Sequence, residues 1–230
     1  MTKKLIIGLS GLAGSGKDFV ANLLVNNHGF VKIALADPLK RICQEVFDFS
    51  DDQLFGPSEK RNEPDKRYFT GKTIGSAVEK DSPIYEDSKI YLTPRFALQT
   101  LGTDWGRTCY PEVWTNYTMR VANKLLSGQG WQYDPRHGLW QEPEVFNDIN
   151  GVVISDIRFR NEMEAVKNHG GKVVRIKRDK STTLSGLASQ HSSEQEQKEI
   201  LDSEFDYVLN NQENLSLLTQ EISDMLGKLG

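Results

Sequence analysis

Eight residues near the amino terminus, Gly11-Leu12-Ala13-Gly14-Ser15-Gly16-Lys17-Asp18, constrain the fold more than anything else in the chain. An apolar run, Leu5 to Leu9, precedes them, and a segment with helical periodicity, Phe19 to Val25, follows. Strand, glycine loop and helix in that order is the setting in which G-x-x-x-x-G-K cradles phosphate. Glycines let the backbone turn its N–H groups inward, and the helix amino terminus adds partial positive charge. On this reading Gly11, Gly14, Ser15 and Gly16 line the loop, and Lys17 reaches the outer phosphates of a nucleoside triphosphate. Phe19 stands where a dinucleotide-binding G-x-G-x-x-G needs its third glycine, so a Rossmann fingerprint is excluded. Most phosphate loops carry Ser or Thr after the lysine, whereas this one carries Asp18. Its carboxylate can ligate Mg2+, directly or through water, or simply complement the helix dipole.

The rest of the chain alternates buried-strand runs with helical periodicity. Strands are expected over 3–9, 30–35, 151–156, 172–177 and 205–209. Asp37 as N-cap and Pro38 as first helical residue open a helix to about Phe47, with Ile42, Val46 and Phe47 inward. Thr93-Pro94 opens another that Gly102 ends after Leu101. Further helices are expected over 111–126, with Val113, Tyr117, Val121 and Leu125 on one stripe, and over 160–169 and 215–226. The alternation predicts an α/β fold: a parallel, doubly wound five-stranded sheet with helices on both faces, in one domain spanning 1–230. Residues 51–92 are charge-dense and read as an insertion or acceptor-side cap without firm secondary structure. Residues 127–150 are irregular, and the polar stretch 178–205 reads as a lid.

Ligands of such sheets sit at the carboxyl ends of strands, which selects Asp37, Asp156 and Arg158 beside the glycine loop. Val152 to Asp156 has the form of a Walker B strand, apolar and ending in a carboxylate. Arg158 and Glu162 are four apart and share a helix face. They form either a surface ion pair or a cation for a transferring phosphoryl group with the carboxylate that orients it; Arg160 is a second cation. Arg95 and Gln99, one helical turn apart, suit a phosphate and a base edge. Trp105, Tyr110 and Trp114 can stack on a base or fill a core. His191 sits in a polar stretch and receives no role.

Composition narrows the partners. A formal charge of −4 leaves no footprint for nonspecific nucleic-acid binding. Cys43 and Cys109 have neither metal spacing nor a disulfide framework, and read as two buried or partly buried thiols in a reducing cytosol. No run of about eighteen apolar residues suggests a membrane span.

The stretches GLAGSGKD, ADPLK, TPRFALQTLGTDWGR, VVISDIRFRNE and HSSE together resemble the phage-type deoxynucleoside monophosphate kinases. GKDF, DPLK, SDIR and FDYVLNN are more distantly similar to the animal-type phosphomevalonate kinases. The resemblance implies transfer of the ATP γ-phosphate to a deoxynucleoside monophosphate with Mg2+, supplying DNA precursors in the cytoplasm of an infected bacterial host. It makes Asp18 usual, while Phe19 departs from a common Thr whose contact is lost or replaced. It assigns catalysis to Lys17, Asp18, Asp156, Arg158 and Glu162, and the metal to Asp18 and Asp156. The acceptor side falls to Asp37, Lys40, Arg95, Gln99, Asp104, Trp114 and Arg160, and the adenine side to Arg178 and Asn211. The implied partner is a small molecule, and a homodimer is compatible with it. A phosphomevalonate kinase is the nearest alternative. A GTP-dependent switch fits poorly, because N-K-x-D is absent and the D-x-x-G at 148–151 precedes its strand.

Overall fold

The computed structural model describes residues 4–12, 14–73, 89–128, 132–134, 139–141, 149–178, 197–211 and 214–230. In chain order it contains β1 (Leu5–Ser10), α1 (Lys17–His28), β2 (Phe30–Ile33), α2 (Asp37–Phe47), α3 (Asp51–Phe55), β3 (Phe69–Thr73) and β4 (Lys89–Tyr91). Next comes α4 (Pro94–Gln99), continued by a π-helical stretch over Thr100–Arg107. Then follow α5 (Val113–Leu126), β5 (Gln132–Asp134), β6 (Leu139–Gln141), β7 (Gly151–Ile157), α6 (Arg160–Asn168), β8 (Lys172–Lys177), β9 (Tyr207–Asn210) and α7 (Leu215–Leu229). The chain divides into two compact units, 1–35 with 115–230, and 36–114.

The first unit is built on a five-stranded sheet of order β2-β7-β1-β8-β9 in which every neighbouring pair is parallel. Its strands read as nearly continuous apolar runs because both faces are covered. Ile7 and Leu9 face α1 and α7, joining Val20, Leu24, Leu218, Ile222 and Met225 in one buried cluster. Alternation sends Ile6 and Gly8 to the other face. There a Cβ on Gly8 would lie 3.4 Å from Val166 of α6. Each fully buried Leu or Ile contributes about 1.5–3 kcal/mol, so this double-faced core is the main reason the sheet holds. Ser10 pairs with Ile157, so Asp156 at the end of β7 lies beside the start of the glycine loop.

In the second unit the inward face of α2 differs from expectation. The helix begins at Asp37, with Ala36 as its cap, and buries Pro38, Leu39 and Cys43. Ile42 and Val46 are exposed, by 37% and 65%. The cause lies in the residues that follow. Cys43 packs with Phe49, Leu54 and Ala97, and Phe47, Tyr68 and Leu92 pack around that cluster. The stretch read as lacking firm structure thus chooses the face of α2. Within 51–92, Ser50 and Gln53 form a reciprocal capping box at the start of α3 (3.2 and 2.9 Å), and β3 pairs antiparallel with β4. Asp65, 8% exposed, accepts from Arg67 Nε and Nη2 at 3.0 and 2.8 Å. The Arg67 hydrogen bond holds its carboxyl down at about 2. Residues 74–88 lie outside the described residues.

Thr93 caps α4 as expected, its hydroxyl accepting from Phe96 N at 3.1 Å. Gly102 does not end the helix, which runs on to Arg107. It is buried, and its carbonyl accepts from Trp114 Nε1 at 2.8 Å. Along α5 the buried stripe is Trp114, Thr118, Ala122 and Leu125, rotated from the expected one because Trp114 rather than Val113 is drawn inward. Cys43 is buried and Cys109 exposed; burial pushes the Cys43 thiol up to about 11.

Of 127–150, the structure describes 127–128, the antiparallel pair β5 and β6, and 149–150. Of 178–205, residues 179–196, and with them His191, lie outside the described residues. The remainder, 197–205, lies within the first unit and is tied to its sheet. Gln197 Nε2 donates to Ile157 O at 3.1 Å, and Arg175 donates to Gln197 O and Asp202 at 2.6 and 2.7 Å.

Candidate active site

The glycine loop joins β1 to α1, and its backbone is set by residues that a side chain would disrupt. Gly11 and Gly16 take φ values of 156° and 89°. A Cβ on Gly11 would approach the Ile176 carbonyl oxygen to 2.5 Å, and one on Gly16 would approach Asn211 Nδ2 to 2.1 Å. Both positions therefore require glycine. Lys17 Nζ donates to the carbonyls of Gly11 (2.5 Å) and Leu12 (3.0 Å), which places the ammonium over the loop. Ser15 is 6% exposed, and its hydroxyl oxygen has no hydrogen-bond partner among the described residues.

Around the loop, Asp18 pairs with Lys32 of β2 at 2.7 Å. Asp156 accepts from Leu35 N at 2.7 Å, tying the end of β7 to the chain leaving β2. Glu162 is 3% exposed, and its Oε2 accepts from the backbone N–H groups of Arg158 (2.6 Å) and Phe159 (3.0 Å). It orients Arg158 through the main chain at the start of α6. The Arg158 side chain is exposed. Arg160, read as an acceptor contact, is instead engaged with Glu204 and the Glu199 carbonyl. The Leu201 N–H, then the Arg160 guanidinium, hold the Glu204 carboxyl below the ordinary carboxylate range. Asn211 Nδ2 donates to the Ser15 carbonyl at 2.8 Å. Arg178 is exposed, directly after β8.

The other residues expected on the acceptor side belong to the second unit. Arg95 and Gln99 are one turn apart on α4 and half-buried, and Arg95 Nε donates to Asn62. Asp37 lies in the first turn of α2, and Lys40 sits over the Phe55 ring, 4.7 Å from its centroid. Asp104 is exposed on the π-helical stretch. Trp114, which the sequence left open between a base contact and the core and the resemblance put on the acceptor side, is buried against Gly106, where a Cβ would lie 2.4 Å from its ring.

No protein-family profile matches the chain. A protein of Acanthamoeba polyphaga mimivirus, named "Putative deoxynucleotide monophosphate kinase", is 31% identical over 220 residues, covering 95% of this chain and 94% of its own length. The chain belongs to that protein's family and is a P-loop kinase. Membership makes it a phosphotransferase acting on a small molecule. Solved structures with looser likeness include TT1252 from Thermus thermophilus, at 20% identity, covering 99% of this chain and 98% of its own, with a TM-score of 0.45. Dephospho-CoA kinase from Campylobacter jejuni follows at 16% identity, covering 99% and 98%, with a TM-score of 0.41. At these scores neither carries weight for the fold or the site.

The kinase's loop fits a phosphate group on its own geometry: positive φ at Gly11, Gly14 and Gly16, close packing at Gly11 and Gly16 that leaves no room for a side chain, and the Lys17 ammonium held on the loop carbonyls. Asp18 and Asp156 are the hard-oxygen donors Mg2+ uses in ones and twos beside substrate phosphates. Sequence reasoning missed Lys32, because a lysine in a short strand carries no local sign of what it will face. It also missed the Asp65–Arg67 pair. Its signal was available, since the charges of Asp65-Lys66-Arg67 follow Pro64, but was absorbed into the charge density of the whole stretch. Among the described residues no helix is long and apolar enough to cross a membrane.

Proposed function

We propose that the kinase transfers the γ-phosphoryl group of ATP to a deoxynucleoside monophosphate. The observation that carries the choice of acceptor is the full-length likeness to the mimivirus protein and its name. The glycine loop supports the donor side. In the transfer, an acceptor phosphate oxygen attacks the γ-phosphorus and the bond to the β,γ-bridging oxygen breaks. ADP leaves with that electron pair, and the diphosphate remains.

Such transfers need positioning and charge stabilisation more than covalent help. Loop N–H groups from Gly14 to Lys17 hold the donor phosphates, with Lys17 on the outer ones. Arg158, on a backbone held by Glu162, neutralises charge on the transferring group. Asp18 and Asp156 would hold Mg2+, which would supply neutralising charge beside the donor phosphates. On the acceptor side the reading assigns the monophosphate to Arg95 and Lys40, with Gln99, Asp104 and Asp37 completing the set. A phage or viral setting, with action in the host cytoplasm, belongs to the same proposal.

A substrate panel tests it. Purified protein with Mg-ATP is offered dAMP, dGMP, dCMP, dTMP, their ribo counterparts and phosphomevalonate, and ADP release is followed. The proposal expects at least one deoxynucleotide to raise ADP release far above background. No response to any of the four, or a response to phosphomevalonate alone, overturns it.

A further inference from the structure

We propose that Asn211 is the positioning residue that aims the Gly16 N–H into the phosphate cradle, and that it does not read the base. The resemblance put Asn211 on the adenine side; the geometry points to the loop. Its Nδ2 donates to the Ser15 carbonyl at 2.8 Å. Its own backbone is anchored, because Asn211 N donates to Lys177 O at 2.6 Å and Asn210 pairs with Lys177 at the end of the β8–β9 ladder. The side chain therefore reaches the loop from the rigid end of the sheet.

The consequence follows from peptide geometry. In a trans peptide the C=O and the following N–H point in opposite directions. Holding the Ser15 carbonyl outward on Asn211 sends the Gly16 N–H the other way, toward the loop interior. That orientation needs holding. Gly16 sits at φ 89°, and glycine occupies positive and negative φ about equally well, so the Ser15–Gly16 peptide can turn over at little cost. Turned over, it would present a carbonyl oxygen to the phosphates in place of a donor. The fit is close: the volume that a Gly16 Cβ would take is filled by the Asn211 amide, 2.1 Å from that point. Glycine at 16 and the amide at 211 thus form one device.

This inference rests on the loop's being a phosphate grip and not on the identity of the acceptor, so its test uses no acceptor. Affinities of wild type, N211A and N211D are measured for ATP, GTP and inorganic tripolyphosphate, the last by competition, with nucleotide-free melting recorded for each. N211A should weaken all three ligands by the same factor, about five- to tenfold, as for loss of one hydrogen bond. N211D keeps the shape, cannot donate to the Ser15 carbonyl and adds negative charge, and should weaken all three at least as much. If N211A fails to melt cooperatively, N211D carries the comparison alone. Weakened ATP binding with unchanged tripolyphosphate binding would mean a base contact and overturn the inference, as would three unchanged affinities. A wild type that binds neither ATP nor tripolyphosphate would instead overturn the loop reading beneath it.

Discussion

Glu162 gives the sharpest link between a buried contact and the chemistry. One carboxylate oxygen receives two backbone donors, Arg158 N at 2.6 Å and Phe159 N at 3.0 Å, in a residue that is 3% exposed. Truncation to Ala leaves both donors without their acceptor. Both donors are part-buried, so each left without its acceptor costs about 1–1.5 kcal/mol, the lower part of the range for unsatisfied groups, and E162A should lose roughly 2–3 kcal/mol. Glutamine can place its single carbonyl oxygen where Oε2 stood and keep both bonds, losing only the charge assistance. E162Q should therefore lose about 1 kcal/mol. Urea denaturation of the three proteins measures the difference. In both variants kcat should fall, since the backbone that carries Arg158 is released or loosened, and E162A should fall further. Equal destabilisation by Ala and Gln would refute the reasoning, because the orphaned donors would then not be the cause. So would an E162A protein within about half a kcal/mol of wild type.

Gly16→Ala must hold a side chain at φ 89° and displace the Asn211 amide; it should cost about 1–3 kcal/mol and abolish ATP binding, which calorimetry would show. The Asp65 carboxyl, held at about 2 against an ordinary 3.8 by Arg67, favours the fold above its ordinary value, and that contribution is lost as pH falls from about 4 toward 2. Denaturant midpoints across that window should drop in wild type and drop less in D65N. Lys32→Ala breaks a pair whose Asp18 side chain is 81% exposed, so it should change stability by less than about 1 kcal/mol; a loss well above that in urea would contradict the surface character of the contact.

What was legible in the sequence follows from how local each signal is. The glycine loop, β7 with Asp156 one residue before its end at Ile157, and β8 over 172–177 are short, apolar or glycine-marked segments whose meaning sits within a few residues, and they lie within a residue of where expected. The rotation of α2 was not legible. Its face is set by Phe49 just beyond the helix, by Leu54 inside a stretch that composition alone describes as charged, and by Ala97, distant in sequence. Gly102 reads as a helix stop by local propensity, but burial beside Leu39 and the Trp114 hydrogen bond carry the helix through it. Trp114 has an aromatic's ambiguity between core and ligand, and Gly106, four residues past Gly102, resolves it by leaving room for the ring. Glu162 was found by spacing, yet its contact runs to the backbone of Arg158, a level that residue spacing does not encode.

The central claim, phosphoryl transfer from a loop-held ATP to a deoxynucleoside monophosphate, is tested most directly by identifying the products. Wild type and K17A are incubated with Mg-ATP and each deoxynucleoside monophosphate, and the nucleotides are resolved by mass. The account predicts a deoxynucleoside diphosphate formed in equal amount with ADP by wild type, and neither above background with a folded K17A. ADP released without any diphosphate, or the same diphosphate yield from K17A, would contradict it.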